Sequence, residues 1–355
     1  MPMFENKTVV ITGGTGSLGS TIVHRVLAGE LGTPRKVIVF SRDETKQHQM
    51  RMAYLHKLVA TDEVIYRNFM NVLEFRIGDI RSYSDVCSIL RDADVVVNAA
   101  ALKQVPACEY FPVQALMTNC IGAANIVRAI EENRYPVDTA VSVSTDKACK
   151  PVNVMGLTKS LQERIFTAAN ILNPDTRFIC VRYGNVLASR GSVIPLFHDQ
   201  IRNGGPITVT VPEMTRFLLS LDQAVDTVME ALRYAKSGET FVPDAPSANM
   251  MNLAKALIGD RGIEIKITGI RPGEKMHEIM VSEEEANHCV RRGNYYAIRP
   301  MLPELCLNAE AEPNALTKEF SSADRVLDFD GTVMLLKKHR LMVEDVSHEN
   351  GELLR

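Results

Sequence analysis

A carboxyl group and an amine stand side by side at Asp146 and Lys147, in the segment STDKACKPVNVMGLTK (residues 144–159). Both follow the apolar run AVSVST, and α/β sheets bind their ligands at the carboxyl ends of strands. Such a pair can exchange protons with a substrate near neutral pH only if burial or neighbouring charges shift the two pKa values. Otherwise the two residues form an ordinary surface ion pair, and the sequence alone leaves both interpretations open.

Met155 and Lys159 follow in the same segment, four positions apart. That spacing places them on one face of a helix. Met155 offers a polarizable apolar contact but no proton chemistry. Its simplest interpretation is therefore a side chain that packs in the core.

A glycine-rich stretch near the N-terminus, TVVITGGTGSLGSTIVHRV (residues 8–26), has Gly13, Gly16 and Gly19 directly after an apolar run and before a helical pattern. Glycine permits the tight turn and the close approach of the backbone to a pyrophosphate, and the helix N-terminus supplies N–H groups to the phosphates. The pattern predicts a dinucleotide site, and a glycine-rich turn without a ligand is the alternative. Other cofactor contacts expected in this loop are Thr15, Ser17 and Leu18.

The end of the second apolar run, KVIVF, indicates which dinucleotide binds. It is followed by Ser41, Arg42 and Asp43, with Lys46 one helical turn beyond Arg42. An Arg with a Lys at i+4 suits a 2′-phosphate, whereas a carboxylate such as Asp43 would bind a ribose 2′-hydroxyl. We predict NADP, with Ser41, Arg42 and Lys46 as contacts. NAD is the alternative, and the two cations can also simply solvate the start of a helix.

The third and fourth apolar runs complete the predicted cofactor site. Small residues after the fourth run let the backbone approach the cofactor, and a polar residue after the third run is placed for the adenine end. These contacts are Asp79, Ile80, Ala99, Ala100, Ala101 and Lys103.

The elements that carry these residues alternate between short apolar runs and helical patterns such as 21–31 and 119–133. Continuous β-branched runs are typical of strands buried on both faces of a parallel sheet. The alternation predicts an α/β fold, a Rossmann-like doubly wound parallel sheet with right-handed crossovers. The predicted strands are residues 8–12, 36–41, 72–79, 94–100, 140–145 and 177–184.

The pattern changes after about residue 185, where the elements become shorter and more mixed. We predict a NADP-binding Rossmann domain over 1–185 and a smaller C-terminal α/β lobe over 186–343 that mainly binds substrate. Some segments of this lobe can return to the main sheet. Residues 344–355 are predicted to be a tail, and 54–71 is a long connection without an assigned role.

Composition narrows the class of protein. The chain has 355 residues, 46% of them hydrophobic, and a net charge of −3, so nothing indicates nucleic-acid or membrane-surface binding. The cysteines are scattered without a CxxC pair, which favours reduced thiols in a cytoplasmic protein over a disulfide framework or a metal site. We predict no signal peptide, and no apolar run reaches the ~18 residues of a membrane helix.

Several of these motifs resemble a known superfamily. The glycine spacing, Asp79, AAALKQVP (99–106), STDKA (144–148) and the helix of Lys159 resemble the extended short-chain dehydrogenase/reductases. Longer segments resemble, within that superfamily, the inverting UDP-N-acetylglucosamine 4,6-dehydratases of polysaccharide biosynthesis. These are FSRDETKQ (40–47), AAALKQVPACE (99–109), residues 144–159, VRYGNVLASRGSVIPLF (181–197), MTRF (214–217) and RPGEKMHE (271–278).

The resemblance covers about residues 4–300 and also places the chain within the family. Met155 stands where one branch of the family has Tyr, so the chain is similar to the Met-containing branch, which resembles capsule and O-antigen dehydratases. It is also similar to the soluble forms, which lack the transmembrane helices of anchored relatives. The family resemblance implies a homo-oligomer.

The resemblance implies a reaction in which carbon 4 of the hexose is oxidised by NADP, carbon 5 loses a proton, and the carbon 6 hydroxyl leaves as water. Hydride then returns to carbon 6, and reprotonation of carbon 5 from the opposite face inverts it. Lys147 is the implied base, Asp146 the implied acid, and Lys159 the residue that holds the nicotinamide ribose. With Met at 155, another group takes the carbon 4 hydroxyl proton. We favour the Asp146–Lys147 pair over Ser144, Thr145 or water.

Substrate contacts are also implied by the resemblance. Two arginines suit a diphosphate because each presents a planar fork of donors, although a single Arg commonly pairs with a surface carboxylate. The implied contacts to the nucleotide sugar are Lys103, Asn185, Val193, Arg216, Arg271 and Glu274.

Two other functions fit the same sequence. A nucleotide-sugar 4-epimerase or a retaining dehydratase would use the same fold, but simple epimerisation needs no base at carbon 5. A non-catalytic NADP-binding regulator is the second alternative, and Met155 is its best support. The presence of Asp146, Lys147 and Lys159 together argues against a regulator.

Overall fold

The computed structural model describes residues 2–55, 63–187, 192–306 and 312–345. Its strands are β1 (Thr8–Thr12), β2 (Lys36–Ser41), β3 (Leu73–Ile77), β4 (Val95–Asn98), β5 (Thr139–Thr145), β6 (Arg177–Tyr183), β7 (Asn185–Val186), β8 (Ile207–Val209), β9 (Thr215–Leu219), β10 (Thr240–Pro243), β11 (Ser247–Asn249), β12 (Ile265–Ile267), β13 (Ile279–Val281), β14 (Cys289–Arg292), β15 (Tyr295–Ile298), β16 (Phe320–Ser321) and β17 (Val326–Leu327).

Helices cover the faces of the sheets. They are α1 (Ser17–Leu27), α2 (Glu44–Leu55), α3 (Glu63–Val72), α4 (Tyr83–Leu90), α5 (Val105–Tyr110), α6 (Pro112–Ala115), α7 (Gly122–Asn133), α8 (Val154–Leu172), α9 (Val193–Arg202), α10 (Leu221–Tyr234), α11 (Met250–Ile258), α12 (Glu283–Ala286), α13 (Pro303–Cys306) and α14 (Phe329–Lys338). A π-helical turn (Leu116–Ile121) precedes α7, and 3₁₀ turns span Asp146–Ala148 and Val343–Asp345.

The main sheet has the strand order β14-β15-β10-β6-β5-β4-β1-β2-β3. The strands from β3 to β10 in this order pair in parallel, and β15 is antiparallel to both β10 and β14. The chain builds outward from β1 to β3 on one side and then crosses to β4 on the other. This reversal creates a crevice between the carboxyl ends of β1 and β4, where doubly wound sheets bind ligands. The Rossmann-like fold is confirmed.

Strand β1 shows why these apolar runs are continuous. Val9 and Ile11 pack in the core layer that contains Ile22 and Val26 of α1. Val10, which points to the opposite face, packs in the layer that contains Ile126 of α7. Because successive side chains of a strand face opposite sides, a sheet covered by helices on both faces requires apolar residues at every position.

The residues after 185 contribute to two regions. A four-stranded sheet in the order β17-β11-β9-β7 and the pair β12-β8 form a smaller lobe, whose core includes Phe197, Leu253 and Leu257. Strands β10, β14 and β15, by contrast, extend the main sheet. The division into a cofactor domain and a substrate lobe at residue 185 stays a prediction.

Several predicted boundaries differ from the structure. Helix α1 begins at Ser17 and ends at Leu27, earlier than the predicted 21–31, because the glycine loop leads directly into it and Gly29 adopts a positive φ of 79°. The predicted helix 119–133 begins as the π-helical turn. In the long connection 54–71, Tyr54 of α2 stacks on Phe69 of α3 with ring centroids 5.3 Å apart. Residues 56–62 of this connection and 346–355 of the predicted tail lie outside the described residues.

Among the described residues, every helix is too short or too polar to cross a lipid bilayer. All the cysteines carry free thiols.

Candidate active site

A cleft of about 730 Å³ lies at the crevice beside β1 and β4. Every residue predicted to contact the cofactor lines this cleft, with the exception of Lys159. The lining residues are Gly13, Thr15, Gly16, Ser17, Leu18, Gly19, Phe40, Ser41, Arg42, Asp43, Lys46, Gly78, Asp79, Ile80, Ala99, Ala100, Ala101, Lys103 and Thr118. Phe40, Gly78 and Thr118 were not identified from the sequence, although two of them adjoin predicted contacts.

The glycine loop has the close backbone packing that a dinucleotide site requires. Gly13 has a φ of 66°, and a Cβ there would lie 2.8 Å from the backbone nitrogen of Ala100. A Cβ on Gly19 would collide with the Gly13 carbonyl oxygen. The residue that caps α1 is Gly16, which has no side chain to bond the N–H groups of the first turn. The first-turn N–H groups of α1 are therefore available to an anion, and this donor set fits a pyrophosphate.

Four charged residues lie at the predicted 2′-phosphate position. Arg42 Nη1 lies 3.6 Å from Asp79 Oδ2, and Lys46 Nζ lies 3.0 Å from Asp43 Oδ2. The other oxygen of Asp43 accepts a hydrogen bond from the backbone N–H of Lys46 at 3.0 Å. These bonds to Lys46 lower the pKa of Asp43. Asp43 is thus engaged as a cap of α2, whereas the half-exposed Arg42 faces the cleft.

Asp146 begins the 3₁₀ turn that follows β5, and its side chain is fully buried. Its Oδ1 accepts hydrogen bonds from Thr145 Oγ1 at 2.9 Å and from Lys147 Nζ at 3.0 Å. Its Oδ2 is buried and has no hydrogen-bond partner among the described residues. Burial raises the pKa of the Asp146 carboxyl, and this effect exceeds the opposing attraction of Lys147. Burial therefore shifts the protonation equilibrium of Asp146 toward the neutral acid.

Lys147 lies between two carboxyl groups. Its Nζ is 3.0 Å from Asp146 Oδ1 and 3.1 Å from Glu278 Oε1. Burial by itself would lower the pKa of Lys147, but the charges of Asp146 and Glu278 raise it above the usual value. Lys147 is consequently an ammonium ion in this structure, whereas the base role implied by the resemblance requires a neutral amine.

Glu278 was not identified as a site residue from the sequence, although it ends the quoted segment RPGEKMHE. Its side chain is buried, and two further cations lie near it. Arg216 Nε lies 3.9 Å from Glu278 Oε1, and Lys275 Nζ lies 3.9 Å from Oε2. Arg216 is itself buried and donates to the carbonyl of Thr215 at 2.8 Å. The structure thus brings the predicted Asp146, Lys147 and Arg216 together around one unpredicted carboxylate.

The start of α8 positions this cluster. Asn153 caps α8 by accepting the N–H of Gly156 at 2.8 Å, and its Nδ2 donates to the Gly273 carbonyl at 2.8 Å. This link ties the helix that carries Met155 and Lys159 to the loop that carries Lys275. The 3₁₀ turn, α8 and the loop therefore form one connected support.

Met155 is buried and packs against Cys108 and Ala115. The structure thus gives it the apolar packing that the sequence indicated. Lys159 is also buried, and its Nζ donates to the Val143 carbonyl at 2.8 Å and to Gln162 Oε1 at 2.9 Å. Burial lowers the pKa of Lys159 to about 8. Lys159 Nζ is therefore bonded to protein groups, and Lys159 is not among the residues that line the cleft.

A buried ionic network anchors α8 to the sheet. Arg182 of β6 donates to Glu163 Oε2 at 2.6 Å and to Glu285 Oε2 at 2.8 Å, and Ser144 Oγ donates to Glu163 Oε1 at 2.5 Å. The guanidinium lowers the pKa of Glu285 to about 2, against the opposing effect of burial. Because its charges are paired in good geometry, this network fixes the end of β5 next to Asp146.

The remaining predicted substrate contacts lie on the lobe side. Asn185 is in β7, and its Oδ1 is buried without a hydrogen-bond partner in the described parts of the chain. Val193 is the first residue of α9. Arg271 is exposed on the loop before β13. Its backbone nitrogen donates to Glu274 Oε2 at 3.4 Å.

The fold and the cleft define a Rossmann-like α/β protein with a buried cluster of ionisable groups beside a dinucleotide-type crevice. The chain belongs to the family described as polysaccharide biosynthesis protein, whose model matches residues 9–300. Relatives named UDP-glucose 4-epimerase include those of Rickettsia bellii (strain OSU 85-389) and Rickettsia conorii (strain ATCC VR-613 / Malish 7). They are 44% and 43% identical over 301 residues, which is 83% of this chain and 84% of each relative.

Solved structures agree with this assignment. The X-ray structure of Pen from Bacillus thuringiensis is 33% identical, with a TM-score of 0.84 over 96% of this chain and 99% of that one. DesIV, a dTDP-glucose 4,6-dehydratase from Streptomyces venezuelae, is 19% identical, with a TM-score of 0.63 over 76% of this chain and 86% of that one. At that identity, the second similarity supports the fold alone.

Proposed function

We propose that this protein dehydrates UDP-N-acetylglucosamine to a UDP-2-acetamido-2,6-dideoxy-4-keto-hexose with inversion at carbon 5, using bound NADP. The product would be a precursor of a capsule or O-antigen type polysaccharide. The observation that carries this proposal is the pair formed by the buried Asp146 and the partly exposed Lys147 at the end of β5, an acid and an amine 3.0 Å apart. The family supports nucleotide-sugar chemistry for polysaccharide synthesis, while the dehydration itself rests on this pair.

The cleft fits a nicotinamide dinucleotide. The α1 N-terminus and the glycine loop would hold its pyrophosphate, and Arg42 with Lys46 would bind a 2′-phosphate. We take NADP as the cofactor because Arg42 faces the cleft while Asp43 is engaged as a helix cap. When bound, the nicotinamide supplies the chemistry of taking a hydride from carbon 4 and giving it back at carbon 6.

Asp146 would act as the acid that protonates the departing carbon 6 hydroxyl. An acid must hold its proton near neutral pH, and burial raises the pKa of Asp146 in that direction. Its unpartnered Oδ2 leaves one carboxyl oxygen that can meet a substrate hydroxyl. The proton leaves with the hydroxyl as water, and Asp146 becomes a carboxylate beside the Lys147 ammonium.

Lys147 would act as the base at carbon 5. The ketone at carbon 4 acidifies the carbon 5 proton, and a neutral amine next to it can remove that proton. With Met155 packed against Cys108, the Asp146–Lys147 pair is also our choice for taking the carbon 4 hydroxyl proton, which passes on to solvent before Lys147 acts at carbon 5. Lys159, four residues after Met155 on α8, would hold the nicotinamide ribose hydroxyls.

Nucleotide-sugar binding would come from the lobe that faces the cluster. Arg216 offers a guanidinium to the diphosphate, and Asn185 offers a buried carbonyl oxygen. Lys103 of the cleft, Val193 at the start of α9, and Arg271 with Glu274 complete the proposed contacts. The resemblance also implies a cytoplasmic homo-oligomer, for which exposed apolar side chains such as Phe111 and Leu161 would provide subunit contacts.

A 4-epimerase is the second candidate, because curated relatives carry that name. Epimerisation removes a hydride from carbon 4 and returns it to the other face of the same carbon. It needs neither an acid at carbon 6 nor a base at carbon 5, so the Asp146–Lys147 pair would serve only to take and return the carbon 4 hydroxyl proton. Dehydration, by contrast, would use Asp146 as an acid and Lys147 as a base at separate carbons.

Product analysis tests the proposal. The purified protein is incubated separately with UDP-N-acetylglucosamine and with UDP-glucose, and the products are examined by mass spectrometry and chromatography. We expect loss of one water from UDP-N-acetylglucosamine, and no loss with Lys147→Ala. A product of unchanged mass and altered retention would identify an epimerase instead, and no reaction with either sugar would favour a binding protein.

A further inference from the structure

Glu278 is a buried carboxylate with no role in the reaction as described so far. Its main chain is fixed by Ser322, because the Glu278 N–H donates to Ser322 Oγ at 2.9 Å and its carbonyl accepts the Ser322 N–H at 2.8 Å. Ser322 Oγ also lies 2.7 Å from Thr215 Oγ1. These main-chain hydrogen bonds therefore position the Glu278 carboxylate next to the Lys147 ammonium.

The two oxygens of Glu278 have different surroundings. Oε1 lies 3.1 Å from Lys147 Nζ, whereas Oε2 is buried with no hydrogen-bond partner in the described chain. Lys275 and Arg216 approach only to 3.9 Å. Buried carboxylate oxygens normally accept hydrogen bonds, and leaving one without a partner costs stability. Such a group is commonly associated with a functional role.

Lys147 needs a group that can take its proton. The amine must be neutral before it can act at carbon 5, but in this structure it is an ammonium between two carboxyl groups. Asp146 cannot accept the proton while it serves as the acid for the carbon 6 hydroxyl. Glu278 is the other carboxyl within hydrogen-bond distance of Nζ.

We propose that Glu278 is a positioning residue that accepts the Lys147 ammonium proton along the 3.1 Å contact and so delivers Lys147 as the neutral base. This inference rests on the proposed dehydration. In the transfer, the Lys147 N–H bond breaks and the Glu278 O–H bond forms, which gives a neutral amine and a neutral carboxylic acid. The amine then removes the carbon 5 proton and becomes an ammonium again. Asp146, which has given its proton to the departing hydroxyl, regains one from Lys147, and Lys147 regains one from Glu278, so the three groups return to their starting states.

Substrate binding would favour this transfer. The charges of Lys147 and Arg216 hold the pKa of Glu278 below its usual value, against the opposing effect of burial. A diphosphate bound by Arg216 would neutralise one of these cations. The carboxylate would then be stabilised less, and its affinity for a proton would rise. The base would form when the nucleotide sugar is in place.

A simple counter-ion role for Glu278 predicts the opposite result in a variant. If Glu278 only stabilises the Lys147 ammonium, its removal lowers the pKa of Lys147 and makes more neutral amine available at neutral pH. If Glu278 accepts the proton, its removal forces Lys147 to lose the proton to solvent. The neutral fraction of the amine then falls about tenfold for each pH unit below its pKa.

The test compares Glu278→Gln, which has the same shape but cannot take the proton, with Glu278→Asp, which keeps a carboxylate. Glu239→Gln is the matched control, because Glu239 is equally buried and pairs with Arg292 at 2.8 Å instead. The kcat and KM for UDP-N-acetylglucosamine dehydration are measured across a pH series. Thermal unfolding and NADP binding establish that each variant is folded.

We expect Glu278→Gln to lose roughly a hundredfold or more in kcat at neutral pH, the usual effect of removing a proton-transfer group, with a much smaller change in KM. Its kcat should rise with pH toward the alkaline range. Glu278→Asp should regain part of the neutral activity, and Glu239→Gln should keep the parent pH profile.

The proton-acceptor role would be overturned if the kcat of Glu278→Gln at neutral pH equalled or exceeded that of the parent and the acidic side of its pH profile moved to lower pH. The proposed dehydration would be unaffected by that result. Failure of Glu278→Asp to exceed a folded Glu278→Gln would also overturn it. If the parent protein itself releases no water from the sugar, both the proposed function and this inference are contradicted.

Discussion

The main chain of Gly156 lies directly against the carbonyl oxygen of Lys147, so a Cβ on Gly156 would collide with that oxygen. Gly156 is in the first turn of α8, where Asn153 Oδ1 accepts its N–H at 2.8 Å. The helix therefore begins in contact with the turn that carries the proposed base. Only glycine permits this close approach, and the contact positions the main chain of Lys147 against α8.

Gly156→Ala should therefore displace the Asp146–Lys147 turn. In an ordinary helix the change would gain up to about 1 kcal/mol of propensity, but overpacking against a backbone carbonyl costs about 1–3 kcal/mol. The collision is expected to outweigh the gain, lowering both turnover and the free energy of unfolding. Gly262→Ala is the matched control, because nothing lies within 4 Å of a Cβ there. An unchanged kcat in Gly156→Ala would show that the contact does not position Lys147.

Cofactor choice should depend on Arg42. Arg42→Ala removes a charge-assisted partner of the 2′-phosphate, a contact worth roughly 1.5–3 kcal/mol. NADP affinity should fall on the order of tenfold to a hundredfold, while NAD affinity changes little. Titration of both cofactors by calorimetry measures the difference. Arg51→Ala is the control, since Arg51 lies on α2, the helix that follows Arg42, and stacks over Phe75. Equal losses for NADP and NAD in Arg42→Ala would exclude a 2′-phosphate contact.

Met155 should be replaceable by another apolar side chain. Met155→Leu roughly conserves volume and is expected to cost less than about 1.5 kcal/mol of stability while keeping most of the activity. Lys147→Ala should abolish dehydration and leave NADP binding nearly intact, whereas Lys159→Ala should impair both. Activity assays, cofactor titration and circular dichroism separate these outcomes. Loss of activity in a folded Met155→Leu would mean that the sulfur has a role beyond packing.

Buried Lys159 should make the stability of the cofactor-free protein depend on pH. Its pKa is lowered from 10.5 to about 8, so between these values the unfolded chain holds a proton that the folded chain does not. The free energy of unfolding therefore increases as pH rises through this window. Below pH 8, burial of the charged Lys159 destabilises the folded protein by the full amount. The full effect is on the order of 3 kcal/mol.

The comparison of parent protein with Lys159→Met isolates this effect from other groups that titrate in the same range. Urea unfolding at several pH values should show the parent gaining stability relative to Lys159→Met as pH rises from about 8 toward 10. A difference that stays constant over this window would show that Lys159 is not held neutral by burial.

The sequence predicted most of the residues that line the cleft because its signals are local. Strand β1, the glycine loop and α1 are consecutive, so the Gly13 turn and the availability of the α1 N-terminus follow from adjacent residues. The same is true of Arg42 and Lys46 at the end of β2. The crevice between β1 and β4 arises from the order of the strands, and the α/β alternation alone was enough to predict it.

The reacting centre was harder to predict because its contacts are distant in the chain. Glu278 reaches Lys147 only through the return of the chain along β13 and its pairing with β16. No local pattern marks that contact, and the charge of Glu278 adds to that of Asp146 in raising the pKa of Lys147. The return of β10, β14 and β15 to the main sheet is likewise set by tertiary pairing, which short mixed runs do not reveal.

Isotope placement tests the proposed dehydration most directly. The reaction is run on UDP-N-acetylglucosamine in deuterated water, and the product is analysed by nuclear magnetic resonance. We expect deuterium at carbon 5 in the inverted configuration, because a base removes that proton and solvent replaces it. The hydride at carbon 6 should be the unlabelled one from carbon 4 of the same sugar. Deuterium at carbon 6 with none at carbon 5 would contradict the mechanism.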